Sequence, residues 1–154
     1  MVAVDVEPDD RLTLEQQVCF TLTVASRELI SLYRPLLEPL GLTHPQWLVM
    51  VTLWGTAGPV TVKELSARLM LDPPTLSPLL KRLEAAGLVK RRRDPANERA
   101  LQITLTEQGQ SLRARAASVP ATLIERLGMT ENELEVMHDV LARVIDLANE
   151  PSPG

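Results

Sequence analysis

A chain of 154 residues, 45% apolar and 23% charged, is the size of one domain with extensions and can bury a sizeable core. One Phe, one Tyr and two Trp leave that core to Leu, Val and Ala, which favours helices over a β-sandwich, and no apolar stretch approaches the ~20 residues of a membrane span. The formal charge of −4 argues against indiscriminate binding of nucleic acid by the whole surface, yet the window from Lys81 to Arg99 holds seven basic residues and three acidic ones, a net +4.

Residues 1–11 show no periodicity and read as a flexible arm. From Leu12 onward, Val18, Leu22, Ala25, Leu29, Leu32, Leu36 and Leu40 recur at three- and four-residue steps. That is one stripe of a long amphipathic helix, ended or kinked by Pro35 and Pro39. Thr43 with Gln46 three residues later, and Pro45 in the first turn, is a capping box opening a second helix. The run from Trp47 to Trp54 is so apolar that this helix is expected to be buried nearly all round, with Gly55 and Gly58 stopping it.

Thr61 and Glu64 repeat the capping box ahead of a short helix with Val62, Leu65 and Leu69 on one face. After a turn at Met70 to Asp72, the next helix carries Leu76, Leu79, Leu80 and Leu83 on its apolar side and Thr75, Ser77, Lys81 and Arg82 on the other, ending at Gly87. A residue before proline avoids the α region, so Pro73-Pro74 places the start of that helix at Pro74. Two short helices on a tight connection, the second showing hydroxyls and cations outward, form a helix-turn-helix. Asp94, Pro95 and Asn97 then separate Leu88 to Arg92 from Ala100 to Leu105, whose alternation predicts a β-hairpin with a basic first strand.

Thr106 caps a helix running through Leu112 toward Ser118, which Pro120 bends or restarts before Gly128. Thr130 with Glu133 is a third capping box, opening a last helix with Leu134, Met137, Leu141, Val144, Ile145 and Ala148 on one stripe. Residues 151–154 read as a flexible tail. The expected class is mainly α with a small β-hairpin wing (α+β). Residues 12–150 form one domain, in which a winged helix-turn-helix at 43–105 is flanked by helices at 12–42 and 107–149. Those flanking stripes pack most economically together and against a second copy, although they could also close a monomeric bundle.

An α-helix fits the major groove of B-DNA, where hydroxyls and cations reach base edges while other cations meet phosphates. Thr75, Ser77, Lys81 and Arg82 are the candidates on the second helix. A wing can enter the adjacent minor groove, and Arg91, Arg93, Asn97 and Arg99 are its candidates. The single cysteine, Cys19, excludes an intrachain disulfide and any paired-cysteine zinc or redox motif, and fits a reducing cytoplasm. With only His44 and His138 as nitrogen ligands, neither a metal site nor a cofactor is expected.

The run Leu65-Ser66-Ala67-Arg68-Leu69, the segment Leu71-Asp72-Pro73-Pro74-Thr75-Leu76-Ser77-Pro78 through Lys81-Arg82 to Gly87-Leu88-Val89, and the stretch from Asn97-Glu98-Arg99 to Gly109 resemble the MarR family of winged-helix regulators. The resemblance spans roughly Leu12 to Asn149. Gln17-Val18-Cys19-Phe20, Ser26-Arg27, Tyr33-Arg34-Pro35-Leu36-Leu37 and Leu42-Thr43-His44-Pro45-Gln46-Trp47 narrow it to the organic-hydroperoxide-sensing OhrR branch. That resemblance implies a homodimeric repressor on an inverted-repeat duplex, with no enzymatic activity and no membrane partner. It also implies that Cys19 is the peroxide sensor, supported by Tyr33 and by the position of His44, where relatives carry Tyr. Thr23 likewise stands where relatives commonly have Tyr, and Asn97 where many wings place an Asp that pairs with the wing arginine.

A thiolate, not a thiol, attacks a peroxide, and the lone cysteine then needs a small thiol for a mixed disulfide, a second copy of itself, or overoxidation. Tyr33 lies 14 residues beyond Cys19, ~21 Å along one helix at 1.5 Å per residue. If the two are partners, a second subunit must supply Tyr33. His44 could donate a hydrogen bond to a thiolate, and its charged form would stabilise that anion. Two rival readings stand beside this one. In the first, a non-covalent lipophilic or phenolic ligand releases the regulator and Cys19 is filler. The second is a thiol peroxidase, disfavoured by the lack of a resolving cysteine.

Overall fold

The computed structural model describes residues 12–151, which divide after Ala117 into two compact units. The expected arm at 1–11 and the last three residues of the expected tail lie outside the described residues.

In the first unit, a 3₁₀ turn at Leu14–Gln16 precedes helix α1 (Val18–Leu37). The helix starts six residues later than the apolar stripe predicts. Gln17 has an extended backbone, and Leu12 and Leu14 are exposed, so the first members of the stripe have no packing to hold them helical. Pro35 sits in the last turn, and a 3₁₀ turn at Glu38–Leu40 follows, closed by Gly41 in the left-handed region at φ 70°.

Thr43 caps helix α2 (His44–Trp54) through the predicted box: its hydroxyl accepts from the Gln46 N–H, and the Gln46 side chain accepts from the Thr43 N–H at 3.0 Å. Trp47, Val49, Met50 and Leu53 are buried, but Leu48 and Val51 are 38% and 44% exposed. The expectation of burial nearly all round is therefore corrected. One face of α2 joins the core and the opposite face is open, which composition alone could not distinguish.

A two-residue strand β1 (Val60–Thr61) leads into α3 (Val62–Leu69), opened by the second capping box at Thr61 and Glu64. Helix α4 (Pro73–Ala85) follows. It starts at Pro73 rather than Pro74, because the Asp72 carbonyl already accepts from the N–H groups of Thr75 and Leu76, both at 3.1 Å, and proline tolerates the first turn. The hairpin comprises β2 (Val89–Asp94) and β3 (Asn97–Leu105), both longer than predicted. With β1 they form an antiparallel sheet in the order β1-β3-β2, in which Val60 faces Ile103 and Arg91 faces the same residue from the other side. The sequence reading missed β1, since two residues are too short to display alternation.

Val49 and Met50 of α2, Leu65 of α3, Leu76, Leu80 and Leu83 of α4, and Val60 and Ile103 of the sheet are essentially inaccessible to solvent. This core holds the two motif helices against the root of the wing. Helix α5 (Glu107–Ala116), capped by the Thr106 hydroxyl at the Gly109 N–H, closes the unit.

The second unit holds α6 (Val119–Leu127) and α7 (Glu131–Asn149). With α5 ending at Ala116 and Pro120 in the first turn of α6, the helix restarts rather than bends. The third capping box opens α7 as predicted. No residue of α7 is buried, and Val136, Val140, Val144 and Leu147 are all exposed. Among the described residues, no helix is long and apolar enough to cross a membrane, and no group of three or more His, Cys, Asp or Glu is placed to hold a metal ion.

Candidate functional site

Helices α3 and α4 meet through a tight turn. Met70 adopts the left-handed region at φ 54°, the Leu71 N–H donates to the Ser66 carbonyl, and the Ser66 hydroxyl donates to the Leu71 carbonyl. With Leu76, Leu79, Leu80 and Leu83 buried, α4 turns Thr75, Lys81 and Arg82 to solvent, and Ser77 is half-buried beside them. The Thr75 hydroxyl donates to an Asp72 carboxylate oxygen at 2.5 Å, so its remaining hydrogen-bonding capacity is that of an acceptor.

The wing is pinned at its root. The Thr106 hydroxyl donates to the Gly87 carbonyl at 2.6 Å, and the Thr106 N–H donates to the Leu88 carbonyl. Behind it, the Trp54 indole donates to the Gly109 carbonyl at 2.9 Å. At the tip, the Asp94 carboxylate accepts from the Ala96 N–H and the Asn97 side chain accepts from the Arg99 N–H, so Asn97 shapes the turn. Arg93 and Arg99 are exposed.

Arg91 is placed differently. It is half-buried and pairs with Glu84 of α4, its Nε 3.0 Å from Oε2 and its Nη2 3.1 Å from Oε1. The side-chain hydrogen bonds of the pair shift both groups: the Glu84 carboxylate lifts Arg91 further above its ordinary range, and the Arg91 guanidinium holds the Glu84 carboxyl below its own. The sequence reading did not single out Glu84 or Asp72. The Glu84 pairing has no local signature, because it closes only once helix and strand are folded, whereas Asp72 and Thr75 stand three residues apart at the start of α4, a spacing the sequence does display.

A chain that combines this helix-turn-helix with a three-stranded wing has clear relatives. The family profile described as "MarR family" matches residues 42–101. The organic hydroperoxide resistance transcriptional regulator of Bacillus subtilis (strain 168) is 37% identical over 137 residues, covering 89% of this chain and 92% of the relative. The chain belongs to the MarR family. The HTH-type transcriptional regulator TtmR of Methylorubrum extorquens (strain PA1) is 43% identical over 138 residues, 90% of this chain and 70% of TtmR. The structure of reduced AbfR bound to DNA superposes with a TM-score of 0.78 at 30% identity, covering 94% of this chain and all of that one. The protein is thus a winged-helix transcriptional regulator of the MarR family and not an enzyme.

Within this MarR-family frame, the predicted sensor residues fall at the two ends of α1. Cys19 is exposed, carries a free thiol and sits in the first turn, where backbone N–H groups have no intrahelical acceptor; its own carbonyl accepts from the Thr23 hydroxyl at 2.7 Å. Tyr33 lies near the other end. Its ring centroid is 4.8 Å from that of His44 and 6.5 Å from that of Trp47, and Trp47 in turn meets Trp54 edge-on at 5.9 Å. The structure therefore brings Tyr33 and His44 together and leaves Cys19 of the same chain apart from both. Burial raises the Tyr33 phenol above its usual value and lowers His44 below its usual value, so both groups favour their neutral forms. Beside this pair, a pocket of about 410 Å³ is lined by Ile30, Arg34, Leu37, Leu42, Thr43 and His44.

Proposed function

We propose that this protein is a dimeric, oxidant-responsive repressor that binds an inverted-repeat duplex when Cys19 is reduced. In this reading α4 enters the major groove through Thr75, Ser77, Lys81 and Arg82, and the wing reaches the minor groove through Arg93 and Arg99, with Asn97 setting the tip. The reading head agrees with the +4 window of the sequence. Residues 12–42 and 107–149 are the dimerisation helices. The apolar side chains left open on α1, among them Val18, Phe20 and Ile30, and on α7 support that assignment.

The observation that carries the sensor reading is the exposed thiol at one end of α1 and the Tyr33–His44 pair at the other. An antiparallel second copy would bring the partner's phenol and imidazole to Cys19. The thiolate attacks the distal oxygen of an organic hydroperoxide, giving a sulfenic acid and releasing the alcohol. A small thiol then condenses with the sulfenic acid, giving a mixed disulfide and water. Loss of the thiolate's hydrogen bonds shifts the helices and misplaces the two reading heads. The Bacillus subtilis relative, a regulator of organic hydroperoxide resistance, supports the sensor reading, and AbfR, seen bound to DNA, supports its DNA-binding part.

The test is anisotropy binding to DNA upstream of the protein's own gene, for wild type and Cys19→Ser, before and after stoichiometric cumene hydroperoxide and again after a thiol reductant. Loss of binding in wild type alone, reversed by reductant, is expected. Equal behaviour of the two proteins, with DNA still bound, overturns the sensor. A second reading, release by a non-covalent lipophilic or phenolic ligand, is favoured by the pocket beside His44, whose volume suits a small organic molecule.

A further inference from the structure

Glu84 is anomalous in its place. It lies on the helix assigned to the major groove, one turn beyond Lys81, where a carboxylate repels phosphate unless it is neutralised. Arg91 balances its charge and supplies three hydrogen bonds to it. Glu84 Oε2 accepts from Arg91 Nε at 3.0 Å and from the Arg91 backbone N–H at 3.2 Å, while Oε1 accepts from Nη2 at 3.1 Å. Two parallel bonds to a planar guanidinium fix orientation as well as distance. The third takes a backbone N–H of β2, which is an edge strand of the sheet.

The pair also spans the point at which the wing could pivot. Between Glu84 and Arg91 the chain turns at Gly87, in the left-handed region at φ 77°; the Gly87 N–H donates to the Glu84 carbonyl and the Leu88 N–H to the Leu83 carbonyl on the helix side, and Thr106 holds the Gly87 and Leu88 carbonyls at the root, so beyond the root the Glu84–Arg91 pair ties β2 back to α4. Glu84 stands three residues before this pivot and Arg91 four after it.

We propose that Glu84 is a positioning residue that clamps the wing to α4 through Arg91, so that major-groove and minor-groove contacts are made by one rigid head, and that it determines operator discrimination at the wing's position without touching DNA. Arg91 then belongs to the clamp and not to the phosphate contacts. The inference rests on the DNA reading of the preceding subsection. Discrimination arises because a rigid wing samples one minor-groove geometry, whereas a hinged wing adapts to wide and narrow grooves alike.

The experiment uses the full chain and the duplex that wild type selects from a randomised library. Two versions carry A·T or G·C pairs in the segment flanking each α4 half-site. Wild type is expected to prefer the A·T version by about tenfold, the scale of one mismatched contact. Glu84→Gln and Arg91→Gln should each bring that ratio to within about twofold of unity while binding to the G·C version stays within twofold of wild type, and the double variant should be no worse than either single one. Spin labels at Ala85 and Ala96, on a Cys19→Ser background without DNA, should give a narrow distance distribution that broadens in Glu84→Gln. An unchanged ratio with an unchanged distribution overturns the clamp, as does additivity of the two single variants, which would mean that Arg91 meets DNA itself. A wild type that selects no duplex overturns the DNA reading, and in that case the spin-label distances judge the clamp alone.

Discussion

The rings of Tyr33 and His44 lie 4.8 Å apart, across the junction between α1 and α2, with an interplanar angle of 57°. Capping fixes one partner: His44 is the first residue of a helix whose start is set by Thr43 and Gln46. The other sits four residues before the buried Leu37, which anchors the end of α1. The pair is therefore a rigid feature of the monomer, ready-made for whatever approaches it.

Its titration has a definite sign. Burial lowers the His44 pKa below its ordinary 6.5, so as pH falls through that value the unfolded chain takes up a proton before the folded chain does. Stability contributed by this group is undiminished above about pH 6.5 and falls below it until the folded-state pKa is reached. His44→Gln is expected to flatten the fall in urea midpoint as pH drops below about 6.5, read as midpoint against pH for the two proteins. An identical slope would place the acid sensitivity elsewhere.

Gly109 is needed for a close approach. A Cβ built there would lie 2.1 Å from the Leu88 carbonyl oxygen, a backbone atom that also accepts from the Thr106 N–H. Gly109→Ala must therefore push α5 off the root of the wing. A loss of about 2–3 kcal/mol is expected, seen as a fall of several degrees in thermal midpoint. Trp54→Phe, which removes the indole bond to the Gly109 carbonyl, should cost about 1 kcal/mol.

The elements most legible in the sequence are those with local chemistry. All three capping boxes lie where Thr43, Thr61 and Thr130 predict, because cap and acceptor are three residues apart and need no tertiary context. The hairpin follows from the alternation around Ile103. What escaped depends on long-range closure. Strand β1 exists because Val60 meets Ile103, Leu48 is open because the core reaches only one face of α2, and Arg91 is bound because Glu84 folds against it. Residue type marks the site residues only one by one. That Tyr33 and His44 touch, while Cys19 stands at the other end of α1, required the folded junction.

Met70 offers a stabilising substitution. It ends α3 in the left-handed region at φ 54°, where a side chain clashes with its own backbone, and it is 61% exposed, so little packing is lost on removal. Met70→Gly relieves that strain, partly offset by the greater freedom of glycine in the unfolded chain. A net gain of about 0.5–1 kcal/mol is expected in urea unfolding, with DNA affinity within twofold of wild type. A loss of stability would mean that the thioether packs more tightly than its exposure indicates.

The Asp72–Thr75 bond makes a prediction about base preference. An ionised carboxylate only accepts, so the Thr75 hydroxyl must spend its proton on Asp72 and can offer DNA nothing but lone pairs. In the major groove the groups that donate to such an acceptor are the exocyclic amines of adenine and cytosine; guanine presents only acceptors there, and thymine an acceptor and a methyl. Operators selected from a randomised library should therefore carry A or C on the strand facing Thr75. Thr75→Val should erase that preference, at a cost of about 1–3 kcal/mol on the preferred base and little on the others. Asp72→Ala frees the hydroxyl to donate as well, so it should admit G or T at the same position while leaving the rest of the operator unchanged. A selected position that tolerates all four bases in wild type, or that does not respond to Asp72→Ala, would remove Thr75 from the set of base-reading residues and leave Ser77, Lys81 and Arg82 to carry recognition from α4.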